Sequence, residues 1–338
     1  MGLDLVTVWG LILAFGLMVY VLLDGFHLGV GLLGFTVHSP QQRGNLVASL
    51  APVCGANVAW LILCSIGLMV AFPLAAALLL DALYIPVLIM LAALGLRNLA
   101  FHGLLKTSQA YSHSWQLLFS ASALIATFSQ GAMIGAVLQG VSIEQQTYIG
   151  GAWDWLTWFS VLTGVCLMLT YALLGATWLL ATNKDQGFSE QMRHYSHHLL
   201  VWLGYAVMSL QLVIPFLTPE LRQRWLGLPN FFYMGFVPML GLMAFVWAYY
   251  VIRFSKWRVW PLGIVLMFLG TVYFMLITCL WPAIIAPDIT LHRAAAAESS
   301  LMLYLWGAVI LVSALSGYLY WAYQAFYVQG RRVSRYHS

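Results

Sequence analysis

Two side chains in the first long apolar run could carry proton chemistry. Asp24 and His27 stand three residues apart in Leu23-Asp24-Gly25-Phe26-His27-Leu28-Gly29-Val30-Gly31, a spacing that puts both on one face of a helix. A carboxylate beside an imidazole can relay a proton near neutral pH, because histidine titrates there. Asn57, Asp81 and Arg97 are further polar groups inside apolar runs. A charge at the bilayer centre costs about 2.5–3.5 kcal/mol on insertion scales, so each such residue needs a reason. Two readings of Asp24 and His27 stay open: a helix end meeting interfacial water, or a protonatable pair facing a protein interface or a cofactor edge. Arg97 either snorkels to the headgroups or is a fixed counter-ion for an anion at a subunit interface, such as a carboxylate or a haem propionate.

The elements that must position these residues are membrane helices. Hydrophobic residues make up 62% of the 338, and charged residues only 7%; soluble domains carry about 25% charged residues, so a water-exposed surface cannot be built from this composition. Mean hydropathy is +0.88. Spanning the hydrocarbon takes about 20 mostly apolar residues per helix, and backbone groups in lipid must be satisfied within the segment. The expected fold is therefore all-α and polytopic, one membrane domain over 1–338. Nine spans are predicted near 5–36, 47–72, 75–104, 115–140, 155–182, 198–217, 231–253, 259–286 and 300–328. Polar breaks separate most of them, and a tight turn at Phe72-Pro73 joins the second to the third. The N-terminus has neither a basic n-region nor a small-residue cleavage site, so the first run is expected as a retained helix.

Basic residues set the orientation. With the N-terminus outside, ten of them fall in cytoplasmic connections and the tail (Arg43, Lys106, Lys184, Arg193, Arg253, Lys256, Arg258, Arg331, Arg332, Arg335), and three in outer ones (Arg222, Arg224, Arg293). The net charge of +4 thus reports topology, not nucleic-acid binding. Cys54, Cys64, Cys166 and Cys279 lie in apolar stretches without metal-like spacing and read as buried small hydrophobes. His38, His113, His194, His197, His198 and His337 lie in connections or at span ends and read as solvated. Span two carries Pro52, Gly55, Ala56 and Asn57, where small residues allow close helix contact.

The segment Asp24-Gly25-Phe26-His27-Leu28-Gly29 resembles the D-G-F-D-L-G signature of subunit II of cytochrome bd-type quinol oxidases. Ala51-Pro52-Val53 through Asn57, Trp60 and Leu61 is similar to that family's A-P-V-W-D-G-N-x-x-W-L, and Leu96 to Phe101 to its F-R-G-V-A-F. Residues 148–159 (YIGGAWDWLTWF), 170–179 (TYALLGATWL), 224–230 (RWLGLPN) and 280–285 (LWPAII) are similar to the cyanide-insensitive branch. The chain departs from the pattern at His27, at Cys54-Gly55-Ala56, at His102 and at His292-Arg293-Ala294. It looks like a diverged member, and glycine at position 55 cannot serve a proton path that needs a carboxylate there.

The resemblance implies an accessory subunit, without haem ligands of its own, in a terminal oxidase of the bacterial inner membrane that couples quinol oxidation to reduction of oxygen to water. Haems b and d would reside in the partner, subunit I, which this chain would help to assemble and keep loaded. Membrane lipid, quinol, a structural quinone and a small single-helix subunit complete the implied partners. The nine helices would form two four-helix bundles plus one, with the N-terminus periplasmic and the C-terminus cytoplasmic. Asp24, His27, Asn57 and Arg97 would be interface or proton-path residues, and Trp60 part of a hydrophobic oxygen path. The alternatives are a secondary transporter or permease, which should show inverted repeats and paired broken helices, and a haem-free assembly paralogue.

Overall fold

The computed structural model describes residues 4–37, 39–50, 57–106, 112–183, 185–228, 230–286 and 289–335. The helices are α1 (Leu5–Leu33), α2 (Pro40–Leu50), α3 (Asn57–Ala71), α4 (Pro73–Lys106), α5 (Ser112–Gln139), α6 (Trp158–Thr182), α7 (Gln186–Val213), α8 (Pro219–Leu226), α9 (Asn230–Phe254), α10 (Trp260–Leu280), α11 (Leu291–Ala294) and α12 (Glu298–Arg335). Two short antiparallel hairpins, β1 (Ile143–Glu144) with β2 (Thr147–Tyr148) and β3 (Ala283–Ile285) with β4 (Ile289–Thr290), fold the connections.

Among the described residues, seven helices are long and apolar enough to cross a membrane, so this is an all-α, multi-pass membrane protein. The nine-span expectation is thus met in part. Two shorter apolar helices, Val58–Ala71 and Glu298–Ala314, stand where the second and ninth spans were expected. Residues 51–56, including Pro52, Cys54 and Gly55, lie outside the described residues, as do His38 and Lys184. The turn between α3 and α4 falls at Phe72, as the sequence indicates.

Four of the polar breaks hold helix, α2, the start of α7, α8 and α11, which corrects the expectation of plain connections there; the first two bear on the site. In the break after span one, Ser39 Oγ accepts from the Gln42 amide at 3.2 Å and α2 begins at Pro40, where a missing N–H costs nothing. In the break before span six, the Asp185 carboxylate accepts from the Gly187 and Phe188 amides, so α7 starts at Gln186 rather than near 198. Side-chain oxygens satisfy the first amides of both helices, which a hydropathy reading does not register. The two polar ends also meet, with Gln42 Nε2 donating to Gln191 Oε1 at 3.0 Å.

The site is built where α1, α4, α5 and α6 pack against one another, with α7 against α6 and the α9–α10 pair against α7 and α6. Glycine sets how closely they cross. A Cβ on Gly29 would overlap the Tyr171 carbonyl, and one on Gly175 would overlap the backbone at Gly29 and Val30. On the next crossing, a Cβ on Gly131 would fall 2.7 Å from the Gly164 Cα and from the Thr163 carbonyl. Backbones this close gain dispersion contact, the main attraction available between helices in lipid. Side chains then tie helix ends: Trp9 Nε1 donates to the Leu301 carbonyl at 3.0 Å, and Gln139 Nε2 to Thr157 Oγ1 at 2.7 Å.

Candidate functional site

The close α1–α6 crossing leaves the Asp24–His27 face of α1 inside the protein. Asp24 is fully buried, and His27 and Arg97 are each 2% exposed. Arg97 reaches across from α4 and donates from Nη1 to Asp24 Oδ1 at 2.6 Å. The snorkelling alternative does not fit a guanidinium so buried; its anion is a carboxylate of its own chain. Arg97 Nη2 also donates to Asn98 Oδ1 at 3.4 Å.

The other carboxylate oxygen extends the network. Tyr20, one turn earlier on α1, donates to Asp24 Oδ2 at 3.1 Å. Gln130 Nε2 on α5 donates to the Tyr20 hydroxyl at 2.7 Å, and the Tyr171 hydroxyl on α6 donates to Gln130 Oε1 at 3.0 Å. Four helices therefore share one buried polar chain. Removing one partner of a buried ion pair costs about 3–5 kcal/mol, because the other charge is left uncompensated.

His27 shares the face of Asp24 but not its bonds. Its ring meets Phe101 and Phe119 edge-on, with centroids 5.3 and 5.6 Å away. Among the described residues both ring nitrogens lack a hydrogen-bond partner, as do Arg97 Nε, Gln116 Oε1, Ser120 Oγ and Thr127 Oγ1. Gln116, Ser120 and Thr127 follow one another at helical spacing on α5 and continue to Gln130. At the far end Gln116 Nε2 donates to the carbonyls of Gly34 and, at 3.0 Å, Val37. A polar seam thus runs along α5 opposite α1, and its unpaired atoms are of the kind buried water satisfies.

Tyr20, Gln130 and Tyr171 also line a mostly apolar cavity of about 370 Å³, with Thr163, Thr170 and Tyr273 as its other polar side chains and Val21, Leu61, Met90, Met133, Cys166 and Leu210 among the apolar ones. A second apolar cavity of about 490 Å³ lies between α7, α9 and α10, and shares Val207, Val272 and Met275 with the first.

Of the remaining sequence candidates, Trp60 and Asp81 do not join the seam. Trp60 is half-buried on α3 with its indole nitrogen unpartnered among the described residues, and it lines neither cavity. Asn57 begins α3, but its side chain lies outside the described residues. Asp81 sits on an exposed face of α4. Tyr20, Gln130, Tyr171 and Gln116 escaped the sequence reading. Tyr20 could have been found, since it precedes Asp24 by one helical turn and a tyrosine there reaches the carboxylate.

The residues do not fit a haem within this chain. Among the described residues no three or more His, Cys, Asp or Glu side chains converge as a metal site. Neither cavity is lined by a histidine, and His27 is boxed by two phenylalanines. Cys64, Cys166 and Cys279 are free thiols, Cys166 and Cys279 buried; Cys54 lies outside the described residues. The arrangement holds a charge pair and positions helices.

The chain is 25% identical over 337 residues to "Cytochrome bd ubiquinol oxidase subunit 2" of Bacillus subtilis, covering 96% of both. It is 27% identical over 179 residues to "Cytochrome bd-I ubiquinol oxidase subunit 2" of Escherichia coli K12, where the match spans 51% of this chain and 47% of the relative. The fold is similar to that in the structure of bd oxidase from Geobacillus thermodenitrificans, with a TM-score of 0.79 over 95% of this chain and 98% of that one, at 16% identity. The family model for cytochrome bd terminal oxidase subunit II matches residues 5–326, a stretch that holds Asp24, Arg97 and every residue of the seam, and the chain belongs to that family.

Proposed function

We propose that this chain is the accessory, non-haem-binding subunit II of a bd-type quinol oxidase, and that it holds a haem-carrying subunit I in its working form. One observation carries the reading. Two of the segments that resemble the family, around Asp24 and around Arg97, meet in a single buried ion pair across 73 residues of sequence. In this reading electrons pass from quinol to oxygen, and water forms, in subunit I. This chain supplies a rigid helical partner whose own buried charges are already matched.

The same reading includes nine membrane helices as two four-helix bundles plus one, a periplasmic N-terminus, a cytoplasmic C-terminus and placement in a bacterial inner membrane. The ten-to-three asymmetry of basic residues supports the orientation. Within the seam Asp24 and Arg97 are the anchor and His27 the proton-exchanging group. Asn57 belongs to the same interface region, and Trp60 to an apolar oxygen route. Lipid, quinol, a structural quinone and a small single-helix subunit are the further partners.

Co-purification tests the proposal. The tagged chain expressed with the adjacent genes should bring down a second polytopic subunit and give a reduced-minus-oxidised haem spectrum. Recovery of a stable, haem-free chain with no partner at normal abundance would leave the assembly-paralogue reading instead.

A further inference from the structure

Three histidines predicted as merely solvated converge on one turn of α7. His194 and His198 are both exposed, one helical turn apart, with ring centroids 4.4 Å from each other. His197, half-buried, sits edge-on to His198 at 5.5 Å and packs on Tyr249 of α9 at 4.8 Å. The turn is held in place: Arg193 Nη1 donates to the Ile252 carbonyl at the end of α9, at 2.8 Å.

We propose that His194 and His198 form a chelating site for a borderline divalent cation, of which Cu²⁺ and Zn²⁺ are the best matched. Two imidazoles at i and i+4 project from one face of a helix and can turn a nitrogen each onto one ion. Imidazole favours copper, zinc and nickel over magnesium or calcium, which prefer oxygen ligands. The nearest carboxylate on the same face, Glu190, is 3.8 Å from Arg193 and 74% exposed. Nitrogen therefore dominates the donor set, and hard cations are selected against.

His197 is not a third ligand. Its ring is perpendicular to that of His198 and turned toward Tyr249, which agrees with the lack of a three-ligand cluster among the described residues. Its role is to hold the ligand-bearing turn against α9. Two protein ligands leave the other positions to water, so the ion exchanges readily. Arg193 and Arg253 are the nearby cations, and they lower the affinity without blocking access. The site is independent of the oxidase assignment, since it needs nothing but this chain.

The test uses the chain as purified in detergent with whatever subunit accompanies it, any tag removed, and reads each variant against the same preparation of the wild type. Zn²⁺ titrated by calorimetry should show one saturable site, and Cu²⁺ at equal stoichiometry should give an electron paramagnetic resonance spectrum with coupling to two nitrogens. His194→Ala and His198→Ala should each weaken binding about tenfold or more and reduce the nitrogen coupling, while His197→Ala keeps both nitrogens. Exposed positions make the alanine variants safe for folding, checked by circular dichroism. Absence of a saturable site overturns the proposal. So does affinity unchanged in the His194→Ala/His198→Ala double variant, which would place the ion on other histidines.

Discussion

Arg97 on α4 and Asp24 on α1 form an ion pair at 2.6 Å whose two side chains are 2% and 0% exposed. The pair replaces two isolated charges in a membrane span by one neutral unit. It also ties α4 to α1 at the level where α1 crosses α6. Arg97→Leu should therefore strand the Asp24 carboxylate and destabilise the chain by about 3–5 kcal/mol. Arg97→Lys should rescue in part, since lysine keeps the charge but loses the planar fork. Asp24→Leu with Arg97→Leu should recover most of the loss. Thermal unfolding in detergent reads all three, and a double variant as unstable as the single would show that the pair does not stabilise the fold.

Gly29 provides a sharper packing test. A methyl group there meets the Tyr171 backbone rather than a movable side chain, so the helices must separate. Gly29→Ala is expected to cost about 3 kcal/mol or more, at or beyond the upper end for overpacking. Gly95→Ala, with open space around its added Cβ, should be neutral or slightly stabilising, because alanine is the better helix former. Equal melting temperatures for the two variants would contradict the close crossing.

His27 and Asp24 should separate by phenotype in the assembled oxidase. The His27 nitrogens make no hydrogen bond within the described protein, so His27→Leu removes the group to which proton exchange is assigned in the proposed function without breaking a structural bond. The expected result is normal assembly and haem content with slowed turnover, the deficit growing as pH rises and protons become scarce. Asp24→Asn should instead lower the amount of assembled enzyme and leave specific activity normal. Unchanged turnover in His27→Leu at every pH would end the relay role.

Asp4 offers a pH test outside the membrane. As the N-cap of α1 it accepts hydrogen bonds from Thr7 and pairs with His292, and these contacts hold its carboxyl down at about 2 from the usual 3.8. A folded-state value below the unfolded one means that the cap is fully present above pH 3.8 and is lost as pH falls through 2. Carbon-13 NMR of labelled aspartate should show this midpoint, and Thr7→Ala should raise it. A midpoint at 3.8 in the intact chain would show that the cap does not form.

The membrane class, the positions of most spans and the turn at Phe72 were legible in sequence, because a long apolar run has few alternatives to a helix in lipid. The polar starts of α2 and α7 were not, because hydropathy is blind to capping by Ser39 and Asp185. By itself the sequence determined that Asp24, His27 and Arg97 lie within apolar runs and that buried charge must find a partner. Only the tertiary structure decided who pairs with whom. Arg97 meets Asp24, Tyr20 links Asp24 to Gln130 and Tyr171, and His27 is left among phenylalanines. Those choices follow from how closely the glycine faces let α1, α5 and α6 approach, and a crossing between segments far apart in sequence leaves no mark in local periodicity. The same holds for the α7 histidines. Their spacing is plain in the sequence, but their arrangement comes from the packing of α9 against α7.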